Sequence, residues 1–151
     1  MRAWFTRMPW RPGVSPVREH PAYEKYLLDQ WQAGTLDDAW KQPGLYAAGY
    51  YDQFARMAQI HMSSWYDPYP LTATENYLGL KAEGAKDLGL VLGPWTHGDR
   101  SLTYAGDLDF GEAATLDGQL APDFIDFRAD FFDRVLHGKS GQADSAPVKV
   151  F

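Results

Sequence analysis

Two polar residues stand where chemistry could be done. Asp67 follows a short apolar run, Gln59-Ile60-His61-Met62-Ser63-Ser64-Trp65, inside the breaker Tyr66-Asp67-Pro68-Tyr69-Pro70. His97 follows a second run, Leu88-Gly89-Leu90-Val91-Leu92-Gly93, thirty residues after the acid. A carboxylate beside an imidazole orients the ring and stabilises its charged form, so that the imidazole can take a proton from a nucleophile. Acid then histidine, after successive strands, is one of the chain orders in which a Ser-His-Asp triad is built. A plainer reading stands beside this one. Asp before Pro opens turns and caps local backbone amides, and His97 is then an ordinary loop residue. Spacing alone leaves both open.

The elements around the pair decide whether the two can meet. Residues 59–65 read as a strand ending in a loop, and 71–83 as a helix with Tyr77, Leu78 and Leu80 apolar and Gly84 placed to stop it. The run 88–93 is continuous and apolar, as in a parallel sheet buried on both faces. Strand, helix, strand is a βαβ crossover, which sets Asp67 and His97 just past the carboxyl ends of neighbouring strands. Upstream, the Pro-rich start lacks periodicity and reads as an extended lead-in. The spacing then predicts a helix over 21–34, a short one from Thr35 and Asp38 to Pro43-Gly44, and another over 47–57. Downstream, 98–118 reads as a long polar loop. Phe124, Phe127, Phe131 and Val135 repeat at helical spacing, widened by Phe132 and Leu136, with Pro122 at the start and Gly138 at the end. Residues 139–146 read as a Ser/Gly/Asp/Ala linker, and 147–151 as the start of an alternating strand.

Composition narrows the field. The 151 residues are 45% hydrophobic and 23% charged, the profile of a soluble globular chain. A net charge of −6 without a Lys/Arg cluster argues against nucleic acid as a partner. No apolar run approaches the roughly 20 residues of a membrane helix, and MRAWFTRMPWRP has no apolar core like that of a signal peptide. With no Cys, a thiolate metal site, a disulfide and a cysteine nucleophile are all excluded. His61 lies within an apolar strand and reads as a packed or edge histidine, since no second ligand has metal-binding spacing. His20 precedes a helix and His137 ends one, where positive charge suits the helix dipole. Trp65 and Trp95 flank the two candidate positions, as pocket walls or as simple packing. Trp31, Trp40, Tyr46 and Tyr50 read chiefly as helix-face packing.

The words around the pair carry a resemblance. Ser64-Trp65-Tyr66-Asp67-Pro68-Tyr69 and Gly93-Pro94-Trp95-Thr96-His97-Gly98 resemble two signature stretches of the CocE/NonD serine hydrolases, which include cocaine esterase, α-amino-acid ester hydrolases and X-Pro dipeptidyl peptidases. Met8 to Gly13, Tyr50-Tyr51-Asp52-Gln53-Phe54 and Phe131-Phe132-Asp133-Arg134-Val135-Leu136-His137-Gly138 extend the likeness over nearly the whole chain. The resemblance implies an α/β fold, specifically a piece of an α/β-hydrolase: the end of a helical cap and its lead-in (1–57), the C-terminal part of the core (58–138), then a linker and the first strand of a jelly-roll domain (139–151). It implies Asp67 and His97 as catalytic acid and base, with Trp65, Tyr66 and Trp95 as candidate substrate-pocket residues. It implies ester, amide or peptide substrates and no metal or cofactor, and it says nothing about oligomeric state; separately, a cytoplasmic protein is expected.

Two departures qualify the resemblance. Ser64 stands where the family usually has Gly. More consequentially, no G-x-S-x-G sequence occurs, and Ser15, Ser63, Ser64, Ser101, Ser140 and Ser145 all lack the Gly pair that exposes a nucleophile on a sharp turn. The expected partner is therefore a hydrolase segment that carries the nucleophile, and the chain alone is expected to be inactive. Two other readings remain: a non-catalytic truncated or split-gene product that pairs with another chain, and an aromatic-rich ligand-binding module.

Overall fold

The computed structural model describes residues 2–139 and 146–151, so most of the expected linker, with Ser140 and Ser145, lies outside the described residues. The chain divides into two compact units, Met1–Gly49 and Tyr50–Phe151.

The first unit holds α1 (Arg2–Phe5) and α2 (Pro21–Gln32). Pro21 starts α2, where its missing N–H costs nothing. The lead-in expected to be extended instead folds onto this helix. The Glu24 carboxylate accepts from the N–H groups of Gly13 at 2.9 Å and Ser15 at 3.3 Å, and Ser15 is fully buried. Trp10 stacks on Trp31 with ring centroids 4.8 Å apart. The short helix expected from Thr35 is absent. Asp37 turns the chain there, its Oδ1 accepting from the Ala39 N–H and its carbonyl from those of Trp40 and Lys41. Between Gly34 and Pro43-Gly44 too few residues are left to repay helix nucleation, and an aspartate turn is the cheaper way to satisfy the backbone.

The second unit contains α3 (Tyr51–Phe54), β1 (Gln59–Tyr66), α4 (Pro70–Ala82), β2 (Leu88–Thr96), β3 (Tyr104–Ala105), β4 (Leu108–Asp109), α5 (Phe124–His137) and β5 (Val148–Val150). The helix expected over 47–57 is split into a 3₁₀ turn, Ala47–Tyr50, and α3. The βαβ unit forms as its pattern predicts, β1 parallel to β2 with α4 between them in sequence. β5, expected to open a separate sandwich, runs parallel to the other side of β2, giving a three-stranded sheet in the order β1-β2-β5. This is an α/β architecture.

Helices and loop cover both faces of β2, which explains its unbroken apolar run. On one face Leu90 and Leu92 pack with Ala73 and Tyr77 of α4. On the other, Val91 and Trp95 pack with Leu116, flanked by Ile60, Met62, Leu120, Phe124 and Phe127. The 98–118 segment, expected as a plain loop, is built: β3 and β4 pair antiparallel, and Leu116 is fully buried with its N–H on the Arg100 carbonyl. Asp123 caps α5 by accepting from the Asp126 N–H at 2.8 Å. Only part of the phenylalanine stripe of α5 is used, since Phe124 and Phe127 pack inward while Phe132 and Leu136 stay exposed. Among the described residues β1 pairs with β2 alone, leaving its second edge open.

Candidate active site

Strand register brings the acid and the base together, but not by a simple ladder. From Gln59↔Leu88 to Ser64↔Gly93 each β1 residue faces the β2 residue 29 positions later, whereas Tyr66 faces Thr96, 30 positions later. One extra residue of β2 is taken up between Gly93 and Thr96, an irregularity that re-aims the strand end. Carried on without it, the ladder would set Asp67 opposite Thr96; with it, the next pair out is Asp67 and His97. Two residues make that local geometry. Gly93 lies so close to the Trp95 indole that a Cβ would collide with it. Pro94 has no N–H to give a ladder and is tolerated at such an irregularity. Trp95 pins the segment: it is 3% exposed, and its indole N–H donates to the Ala114 carbonyl. Gly98, with φ of 89°, turns the chain directly after His97 in a conformation that L side chains rarely adopt.

At the strand ends His97 Nδ1 lies 2.9 Å from Asp67 Oδ2, and the Tyr69 N–H donates to Asp67 Oδ1 at 2.8 Å. Asp67 therefore does what both sequence readings asked, capping its own turn with one oxygen and meeting the imidazole with the other. Its side chain is 10% exposed, whereas that of His97 is 65% exposed. Burial pushes the Asp67 carboxyl up. The hydrogen bonds from His97 and Tyr69, with the positive charge of His97 and Arg100, outweigh burial and hold it below the ordinary aspartate value. An ionised carboxylate accepts from Nδ1–H, and in that tautomer of the imidazole Nε2 is the nitrogen free to take a proton. No second hydrogen bond engages His97 among the described residues. The Tyr69 ring packs edge-on against it, centroids 5.5 Å apart.

A scan against protein-family models matches residues 4–99 to the X-Pro dipeptidyl-peptidase (S15) family. The match covers well over half the chain and includes both Asp67 and His97. The chain belongs to the S15 family. A search of curated proteins finds no match. S15 membership carries a hydrolase-type function.

The other residues singled out from sequence scatter. Trp65 and Tyr66 are both largely exposed near the strand end; the Trp65 indole N–H donates to the Phe151 carbonyl at 3.2 Å, and Tyr66 lies 6.0 Å from the Phe110 ring. Trp95 fills the interior instead. His20 packs edge-on against Tyr23, and His137 lies 4.0 Å from Asp133, so neither joins the pair. His61 Nε2 and Ser63 Oγ are buried on the α4 side of β1 without partners among the described residues. Burial lowers the His61 pKa. Ser15, Ser63 and Ser64 are buried and Ser101 Oγ donates to Asp117, so no described serine hydrogen-bonds His97. A cavity of about 380 Å³ is lined by Lys86, Asp87, Leu88 and Pro147 at the start of β2, the end of the strand away from His97. It has no bearing on this chemistry.

Sequence reasoning missed Tyr69, Arg100 and the irregularity in β2. The Gly-Pro inside an apolar run was a readable sign of the last. Arg100 was not readable: Met62 Sδ accepts from its Nε and the Phe124 ring lies under its guanidinium, contacts that exist only once α5 docks on β1. No helix among the described residues is long and apolar enough to cross a membrane.

Proposed function

We propose that this chain supplies the acid and the base of a serine hydrolase that works through an acyl-serine intermediate, and that the nucleophile comes from a segment outside these residues. One observation carries the reading: the 2.9 Å contact between a nearly buried, ionised Asp67 and an exposed His97 at the ends of neighbouring parallel strands. His97 Nε2 takes the proton of the serine hydroxyl as the oxygen attacks the acyl carbon, then gives it to the departing alcohol or amine. Water repeats the sequence to release the acid. Asp67 holds the tautomer and stabilises the imidazolium in each half.

Substrates are esters or amides, with α-aminoacyl and X-Pro peptide groups among them, in keeping with the CocE/NonD-like words around Asp67 and His97. Trp65 and Tyr66, exposed near the strand end, lie two and one residues before the acid. The open edge of β1 and the uncovered part of α5 support a partner segment that continues the sheet.

Complementation tests this. The chain is assayed on p-nitrophenyl acetate and on an X-Pro p-nitroanilide, alone and co-expressed with the nucleophile-bearing N-terminal part of an S15-family hydrolase. The expected outcome is no turnover alone, turnover in the complex, and its loss with His97→Ala. Turnover by the isolated chain, or a complex that ignores His97→Ala, would overturn the proposal.

A further inference from the structure

We infer that Tyr69 is a positioning residue for the Asp67–His97 pair, acting on the carboxylate through its amide and on the imidazole through its ring. The inference rests on the acid–base reading of that pair. Tyr69 touches both members at once: its N–H donates to Asp67 Oδ1 at 2.8 Å, and its ring centroid lies 5.5 Å from that of His97, the planes at 62°.

The two contacts remove different freedoms. A carboxylate hydrogen-bonded through one oxygen still swings about its Cβ–Cγ bond, and the Tyr69 amide on Oδ1 stops that swing with Oδ2 facing Nδ1. The imidazole, 65% exposed and tied to the protein by one side-chain hydrogen bond, still rocks about the Nδ1 contact. An edge-on aromatic neighbour opposes that rocking by dispersion and by the preference of ring quadrupoles for a tilted approach. The chain fixes Tyr69 in turn. It stands between Pro68, whose ring restricts the preceding link, and Pro70, the first residue of the 13-residue α4, so the ring is carried at the mouth of a rigid element. Its hydroxyl engages no partner among the described residues, and the side chain is largely exposed, so the ring acts on His97 and adds little to the core.

Nitrogen and proton NMR of His97 reads this directly in the chain itself, without any hydrolysis. The readouts are the Nδ1–H tautomer signature and the exchange rate of that proton with water. Tyr69→Ala and Tyr69→Leu should raise the exchange rate about 3- to 10-fold, the factor that the free energy of an aromatic pair corresponds to, while Tyr69→Phe should match the parent. Leucine keeps bulk without a ring, so the pair of variants separates ring geometry from simple cover. Exchange unchanged in Tyr69→Ala, or raised as much in Tyr69→Phe, would overturn the inference. Asp67→Asn is the control for the reading beneath it. If that variant leaves the tautomer untouched, the acid–base pair itself is wrong; if it abolishes the signature while Tyr69→Ala does nothing, the role of the Tyr69 ring falls, since alanine keeps the amide on Asp67.

Discussion

Two carboxylates, one in each unit, are taken out of solvent and held below their ordinary pKa, yet they are held for different ends. Glu24 uses both oxygens on backbone N–H groups, those of Gly13 and Ser15, and the Gly13 amide contributes most to keeping it ionised. Both oxygens end on the backbone. Asp67 gives one oxygen to the Tyr69 amide and keeps the other for an imidazole that is itself open to solvent. The first arrangement ends in the fold; the second passes a charge outward to a group that can act. What separates a structural carboxylate from a working one is thus the identity of its last partner, since burial and lowered pKa are common to both.

The largest effect that would break this comparison is catalytic. In the complemented enzyme Asp67→Asn should lower kcat about 10⁴-fold, because Asn presents the wrong partner to Nδ1–H. Its Oδ1 can still accept from the Tyr69 N–H, so the thermal unfolding midpoint should move little. Glu24→Gln should do the reverse. One backbone N–H then faces an NH₂ donor, so the denaturant midpoint should fall, with kcat nearly unchanged. A Glu24 variant that removed activity from a folded complex, or an Asp67 variant that merely unfolded the chain, would erase the distinction.

A smaller effect concerns how the Asp67–His97 pair is brought into line. Gly93→Ala drives a Cβ into the Trp95 indole. Overpacking of this kind costs about 1–3 kcal/mol. If the strand relieves the clash by losing the extra residue between Gly93 and Thr96, His97 shifts along the ladder and kcat should fall about 100-fold even where the fold survives, since small misplacements of catalytic groups carry that penalty. Stability and kcat measured on the same variant separate the two: a loss of stability with unchanged kcat would show that the irregularity is incidental to the site.

The parts legible from sequence were those whose signal is local and periodic. α2 was visible from Tyr23, Tyr26, Leu27 and Trp31 behind Pro21, the βαβ unit from an apolar run, a helix and a second apolar run, and α5 from its phenylalanines. The βαβ reading set Asp67 and His97 at neighbouring strand ends, and the words around them, rather than their spacing, singled them out as a candidate pair. What escaped depends on tertiary contact. Leu116 sits in a polar, Gly-rich stretch and still becomes a fully buried anchor, because it meets Val91 and Trp95 from far along the chain. β3 and β4 have two residues each, too few for an alternating pattern. The pairing of Val148–Val150 with Leu90–Leu92 joins residues more than fifty positions apart. Glu24 carried no readable signal, since the amides it serves lie across a turn that no periodicity announces.

The smallest effect sharpens the comparison with a third titratable group, His61, which is half-buried and has a buried Nε2 with no partner among the described residues. Burial lowers its pKa below the ordinary 6.5. A base whose folded pKa is depressed binds fewer protons folded than unfolded, so stability is complete above 6.5 and is lost as pH falls from there toward the folded value. Glu24 and Asp67, both depressed from ordinary values of 4.5 and 3.8, lose stability in the same direction but in a lower window, beginning near those values. Acid titration of chain stability should therefore show two separate losses. His61→Phe, which fills similar space without a nitrogen to charge, should remove the upper loss and leave the lower. Asp67→Asn and Glu24→Gln should each shrink the lower loss and leave the upper. An upper loss that survives His61→Phe would mean that a group other than His61 is its source.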